Sequence, residues 1–176
     1  LAAHFRVPAD RVGHIYNPVV GSALKRKAEE ACVHPWLADK TIPTLISVAR
    51  LSPEKDFDTL LEAFSLLRRA MLVRLLVLGD GPDRGRLERR ATDLKVETDV
   101  DWMGMIANPL PLVRDADALV LSTFYEGLPT VLIEALYVGT TPVATDAPGG
   151  IREILEDGRY GYIVPMQDAQ ALSEGM

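Results

Sequence analysis

From Thr44 onward, short apolar runs of strand length alternate with helix-length stretches, and that alternation leaves few folds open. TLISVAR (44–50), RLLVLGD (74–80), a short run at 100–104, Ala118 to Ser122, Pro142 to Thr145 and Tyr160 to Val164 read as six strands. Between the first two, Asp56 to Arg69 sets Phe57, Leu60, Leu61, Phe64 and Leu67 at helical spacing. Asp83 to about Lys95 reads as an Arg-rich surface helix, and Pro109–Asp115 and Gly150–Glu156 as shorter ones. Asp168 to Met176 begins a helix that the chain end truncates. Strands and helices in this order imply an α/β fold, a doubly wound parallel sheet of about six strands with helices on both faces. With 176 residues there is room for one domain with a real core, not two.

Charge and composition then exclude function classes. Asp and Glu number 25 against 19 Lys and Arg, so the net charge of −6 disfavours nucleic acid. No basic stripe with interleaved aromatics is present, and Lys25-Arg26-Lys27 reads as a solvated face. The single Cys32 excludes an internal disulfide and fits a reducing compartment. No apolar run approaches the length needed to span a bilayer. His4, His14 and His34 all lie in the first 35 residues with no zinc spacing, so no metal is expected. Ser122 has no nucleophile elbow around it. Residues 21–43 are polar and mixed, Asn17-Pro18 is a turn or linker signal, and a chain opening on Leu1 is expected to be a piece of a longer protein.

One stretch concentrates the chemistry: STFYEGLPTVLIEALYVGTTPVATDAPGG, Ser122 to Gly150. The buried strand before it stops at Ser122, and the chain turns through Gly127 into a helix whose first turn holds Pro129, a position where a missing N–H costs nothing. The amides of Leu128, Thr130 and Val131 then point out of a helix N-terminus, which suits an anion. Glu126 lies in the loop before this helix and Glu134 within it, surrounded by Leu132, Ile133, Ala135 and Leu136. A helix apolar all round is buried, and a buried carboxylate needs a partner. That partner is either an Arg or backbone amide, or a ligand's hydroxyls. In sheets of this kind ligands lie beyond the carboxyl ends of the strands. Arg50 and Lys55, Gly79-Asp80-Gly81, Gly104 and Glu126-Gly127 all fall there. Two cations in one loop suit a diphosphate, although on their own they read more readily as a solvated loop with Glu54 and Asp56 as partners. Gly79-Asp80-Gly81-Pro82 lacks both dinucleotide and P-loop patterns and reads as a turn that clears backbone space.

EGLPTVLIE resembles the E-x7-E signature of retaining, nucleotide-sugar-dependent glycosyltransferases of family 4, and the flanking S-T-x-x-E-G-L-P and A-T-D-x-x-G-G match as well. The resemblance covers about Asn17 to Met176. One departure stands out: the family's G-T-P-V-V-A-T-D is here Gly139-Thr140-Thr141-Pro142-Val143-Ala144-Thr145-Asp146, with the proline one position later. That leaves the first residue of the strand open.

The resemblance implies a Rossmann-like, nucleotide-sugar-binding C-terminal half of a GT-B fold, truncated at its C-terminus. Residues 1–20 would then be the linker or remnant of an N-terminal domain, and 21–176 the donor domain. It implies that Arg50, Lys55 and the amides around Gly127, Leu128, Pro129, Thr130 and Val131 stabilise the diphosphate of a UDP- or GDP-sugar. Glu134 would hold the ribose hydroxyls, Glu126 the transferred sugar, and the loop at Gly104 and Met105 the nucleobase. Transfer would proceed with retention, without a metal, in polysaccharide or glycolipid synthesis. Partners would be the donor and the protein's own N-terminal domain, in the cytoplasm, with peripheral association at the inner face of the membrane left open. An epimerase of the same fold and a binding module without catalysis are the alternatives. The fragment alone is expected to be inactive, since the acceptor site would lie on the N-terminal domain.

Overall fold

The computed structural model describes Arg11, residues 15–31 and residues 34–176. His4, His14 and Cys32 lie outside the described residues, as does most of the expected linker; residues 15–20 have no regular secondary structure. Six parallel strands form one sheet: β1 (Thr44–Val48), β2 (Arg74–Leu78), β3 (Val100–Gly104), β4 (Ala118–Leu121), β5 (Thr141–Thr145) and β6 (Tyr162–Val164). Their spatial order is β3-β2-β1-β4-β5-β6. The winding direction therefore reverses between β1 and β4, where Leu45 lies opposite Ala118 and Ile46 opposite Leu119. Loops leaving these two strands diverge to opposite sides, which opens a crevice at their carboxyl ends.

The described helices are α1 (Ser22–Ala28), α2 (Pro35–Ala38), α3 (Phe57–Ala70), α4 (Arg84–Asp93), α5 (Leu110–Asp115), α6 (Thr130–Val138), α7 (Ile151–Ile154) and α8 (Ala169–Gly175). They cover both faces because strand residues alternate sides. Leu45, Leu75, Val77, Val120 and Val143 pack with Leu60, Leu61 and Phe64 of α3, Leu87 of α4 and Leu172 of α8. Ile46, Leu76, Leu78, Leu119 and Leu121 pack with Leu37 of α2, Leu112 and Val113 of α5, Leu132 and Ala135 of α6, and Ile151 of α7. Each fully buried Leu or Phe removes enough apolar surface from water to contribute roughly 1.5–3 kcal/mol. The sheet thus holds the crevice on a rigid two-sided core.

Three features differ from, or go beyond, what the sequence indicates. The polar segment 21–43 contains two short helices. No residue of α1 is buried, so it has no apolar stripe to read. It is held from outside by Arg114 Nη1 donating to Ala28 O (2.6 Å) and Asn108 Nδ2 to Lys27 O (2.9 Å). His34 caps α2: its Nδ1 accepts from Trp36 N (3.2 Å), leaving Nε2 to donate to Asp101 (3.2 Å). Second, β5 begins at Thr141 and carries Pro142 inside it, opposite Leu119. β6 pairs only from Val143 onward, and a Cβ on Gly161 would sit 2.6 Å from Pro142 O. The proline is tolerated because no neighbouring strand needs its missing N–H. Third, α6 is not buried all round. It starts at Thr130, with Pro129 as its N-cap, and only Leu132 and Ala135 are buried. Apolar composition on every side does not reveal which side is covered.

Candidate functional site

The loop after β1 is seated on the loop after β2. Ala49 N donates to Leu78 O (3.0 Å) and Leu51 N to Asp80 O (3.1 Å). Gly79 has φ +133°, and a Cβ there would lie 1.9 Å from Ala49 O; one on Gly81 would lie 2.2 Å from Leu51 O. The glycines make this close approach feasible. Beyond it the chain forms a 3-10 turn, Pro53–Lys55, and enters α3 through Asp56 at φ 42°. Asp56 caps α3 by accepting from Thr59 N (3.4 Å), while its other carboxylate oxygen is buried without a partner. Burial pushes this carboxyl above its ordinary range.

The two cations of this loop meet different surroundings. Asp56 is committed to the cap, and Glu54 accepts from Ser52 Oγ (2.6 Å). Lys55 reaches across the switch point to Glu126, Nζ to Oε1 2.5 Å, with the side chains only 19% and 12% exposed. Arg50 is exposed, and its guanidinium makes no ion pair or hydrogen bond among the described residues. One cation is already neutralised, and the other keeps only a coulombic attraction to Glu54 among the described residues.

Glu126 is held as firmly as Lys55. Ser122 Oγ donates to Lys55 O (2.9 Å), and both Thr123 Oγ1 and Phe124 N donate to Glu54 O (2.9 Å each). Thr145 Oγ1 accepts from Thr123 N (2.9 Å) and donates to Thr123 O (3.0 Å). Glu126 N donates to Pro148 O and Gly150 N to Gly127 O, both at 2.9 Å. Gly149, at φ +128°, would place a Cβ 1.8 Å from Glu126 O. The loops after β1, β4 and β5 are thus stitched together through buried hydroxyls and one glycine pair. Sequence reasoning assigned no role to Thr123, Thr145 or Gly149. The Gly-Gly pair was visible, whereas nothing marks a buried threonine as a strut.

A cavity of about 220 Å³ lies between these loops, lined by Arg50, Lys55, Glu126, Leu128, Pro129, Thr130 and Val131 with Val48, Ala49 and Leu121. The backbone N–H groups of Gly127, Leu128, Thr130 and Val131 find no acceptor among the described residues. Pro129 has no N–H to offer. Unpaired amides at the N-terminus of α6, beside two cations, make a site for an anion. A second, larger and mostly apolar cavity of about 390 Å³ shares Val48, Ala49 and Arg50 and continues past Gly79 and Asp80 to Met105, Ile106 and Pro109. Gly104 does not line it, and its carbonyl already accepts from Gly79 N (2.8 Å), which leaves Met105 and Ile106 to meet a ligand in this loop. The paired volumes suit a charged group joined to a flat, apolar one. Among the described residues no group of three or more His, Cys, Asp and Glu stands together to hold a metal, and no helix is long and apolar enough to cross a membrane.

Glu134 lines neither cavity directly, but it stands one turn beyond Thr130 and three residues after Val131, on their side of α6. It is half-buried and no side chain or amide pairs with it among the described residues, so the first of its two possible partners is absent. Burial pushes its carboxyl up, and the Lys27 charge offsets this in part. A carboxyl raised on folding favours the folded state below the ordinary carboxylate range, and that contribution is lost as pH rises through the raised value. Glu134→Gln is therefore expected to melt at a higher temperature than wild type at neutral pH. The gap should close below about pH 4, where both side chains are neutral. Thermal melts across that range check it, and a variant less stable at pH 7 would mean that Glu134 has a partner in the folded chain.

The model of the family described as glycosyl transferases group 1 matches residues 32–176. The chain belongs to that family. This group 1 glycosyltransferase chain is 27% identical, over its whole length, to the N-acetylgalactosamine-N,N'-diacetylbacillosaminyl-diphospho-undecaprenol 4-alpha-N-acetylgalactosaminyltransferase of Campylobacter jejuni, covering 46% of that protein. It is 33% identical over 76% of its length to the lipopolysaccharide core biosynthesis glycosyltransferase LpsE of Rhizobium meliloti, covering 38% of it. Among solved structures, Anabaena Alr3699/HepE in complex with UDP-glucose superposes with a TM-score of 0.72 at 26% identity, over 79% of this chain and 39% of that one. The group 1 chain thus spans less than half the length of each. The six-stranded Rossmann-like sheet of this chain superposes on the matching part of HepE.

Proposed function

We propose that this chain is the donor-binding half of a glycosyltransferase that moves a sugar from a nucleoside-diphosphate-sugar to an acceptor with retention of configuration. The observation that carries the reading is the convergence of Arg50, Lys55 and the unpaired amides of Gly127, Leu128, Thr130 and Val131 on one cavity at the topological switch point. Support comes from HepE, a structural neighbour solved with UDP and with UDP-glucose. In this reading the diphosphate of a UDP- or GDP-sugar lies against Arg50, Lys55 and the amides. The base enters the apolar cavity past Met105, the ribose hydroxyls meet Glu134, and the sugar meets Glu126. Breaking the bond from anomeric carbon to phosphate builds charge on the leaving diphosphate. Cations and fixed amide dipoles already aimed there lower the barrier without reorganising.

Residues 21–176 form the donor domain in this account, and 1–20 lead in from an N-terminal domain that carries the acceptor site. Transfer needs an acceptor oxygen held about 3–3.5 Å from the anomeric carbon, so the chain alone is not expected to transfer sugar. The names of the Campylobacter and Rhizobium relatives support a lipid-linked or polysaccharide acceptor and work at a membrane surface. A panel of UDP, GDP, ADP and their sugars at about 100 times Kd should stabilise the chain by ~2.7 kcal/mol, or roughly 5–10 °C in Tm. No shift with any of them at millimolar concentration would remove the proposal.

A further inference from the structure

The Lys55–Glu126 pair joins two residues that the donor-site reading gives to different parts of the ligand, Lys55 to the diphosphate and Glu126 to the sugar. In this structure they hold each other, Nζ to Oε1 2.5 Å, with both side chains largely out of water. Their backbones are fixed independently of the pair, Lys55 O by Ser122 Oγ (2.9 Å) and Glu126 N by Pro148 O (2.9 Å). Exchange of the side chains therefore requires no movement of either loop. Arg50, by contrast, lines the same cavity, is exposed, and makes no ion pair or hydrogen bond among the described residues.

Resting on the donor-site reading, we infer that Glu126 is the specificity gate of this site: its carboxylate occupies Lys55 until a diphosphate takes the ammonium over, and only then is it released to the sugar. Arg50 meets the incoming anion first, because among the described residues no ion pair or hydrogen bond holds its guanidinium. A phosphate oxygen then replaces Glu126 as acceptor for Lys55, and the freed carboxylate accepts from a sugar hydroxyl. Only a ligand that carries both groups satisfies both partners. A bare nucleoside diphosphate takes Lys55 and leaves the carboxylate without a partner in a half-dry cavity, which is costly. Discrimination in favour of the complete donor over its own product follows from one ion pair.

The inference has a signature that a carboxylate touching only the sugar lacks. Titration calorimetry of the chain with UDP, GDP and ADP is run on wild type, Glu126→Gln, Lys55→Ala and the double variant, with Glu126→Ala as a second removal and circular dichroism to check folding. Glu126→Gln is expected to bind the bare nucleoside diphosphate about 3- to 10-fold more tightly than wild type, a coupling of the size seen for contacting charged pairs. In the Lys55→Ala background the same change is expected to alter affinity by less than about 2-fold, because no ammonium remains to be released. Unchanged affinity in Glu126→Gln, or equal tightening in both backgrounds, overturns the inference. The latter would reduce Glu126 to a general repulsive charge. If wild type and every variant bind none of the three nucleotides, the donor-site reading itself fails and the gate with it.

Discussion

Replacing Gly149 by alanine is expected to cost this protein about 2–4 kcal/mol of stability, or roughly 5–15 °C in Tm, and to abolish nucleotide binding. The added Cβ would lie 1.8 Å from Glu126 O and 3.2 Å from Gly127 O, at φ +128°, where an L side chain is strained even in open space. Neither loop can yield cheaply, because Glu126 N and Gly150 N are already bonded across the same gap. Relief has to come from moving Glu126 and Gly127, and with them the amides that open α6. Gly158→Ala separates the two causes: its φ is +99°, but a Cβ there meets nothing within 4 Å. That control should lose only the backbone strain, about 1–2 kcal/mol, and keep its ligand. Thermal melts with and without UDP or GDP compare the two, and equal behaviour would mean that the Gly149 clamp does not position the site.

Arg50→Ala is the opposite case, a large loss of binding without a loss of fold. Its guanidinium is exposed and touches no described partner, so stability should stay within about 0.5 kcal/mol of wild type. A charge-assisted hydrogen bond to phosphate is worth roughly 1.5–3 kcal/mol, so affinity for a nucleoside diphosphate should fall about 10- to 150-fold. Arg50→Lys should recover only part of this, because a point charge cannot reproduce a planar two-pronged contact. Calorimetry decides it. Wild-type affinity in Arg50→Ala would return this residue to the solvent.

The architecture was open to reading because its signals are local. Runs such as Leu75-Leu76-Val77-Leu78 are apolar on both faces, which a strand needs only inside a parallel sheet covered on both sides. The position of Arg50, Lys55 and Glu126 at strand ends follows from that topology alone. Their mutual geometry does not. Lys55 and Glu126 are 71 residues apart, and no local pattern states that they form an ion pair. The struts Thr123 and Thr145 are ordinary β-formers in sequence and show their use only when strands are adjacent. α1 went unread because a helix with no buried residue carries no periodic stripe. The uniform apolarity of α6 conceals that the side bearing Glu134 is open enough to leave its carboxylate half-buried, with no hydrogen-bond partner among the described residues.

The central claim is that the crevice between β1 and β4 holds the diphosphate of a sugar donor. A crystal of this chain soaked with UDP-glucose and, separately, with a GDP-sugar tests it most directly. The expected density places the diphosphate within hydrogen-bonding distance of Arg50, Lys55 and the amides of Gly127 to Val131, with ribose hydroxyls on Glu134 and the base beside Met105 and Ile106. The Lys55–Glu126 contact should be broken in that complex. Nucleotide bound elsewhere on the chain, or a diphosphate that leaves Arg50 untouched and the Lys55–Glu126 pair intact, would contradict the account.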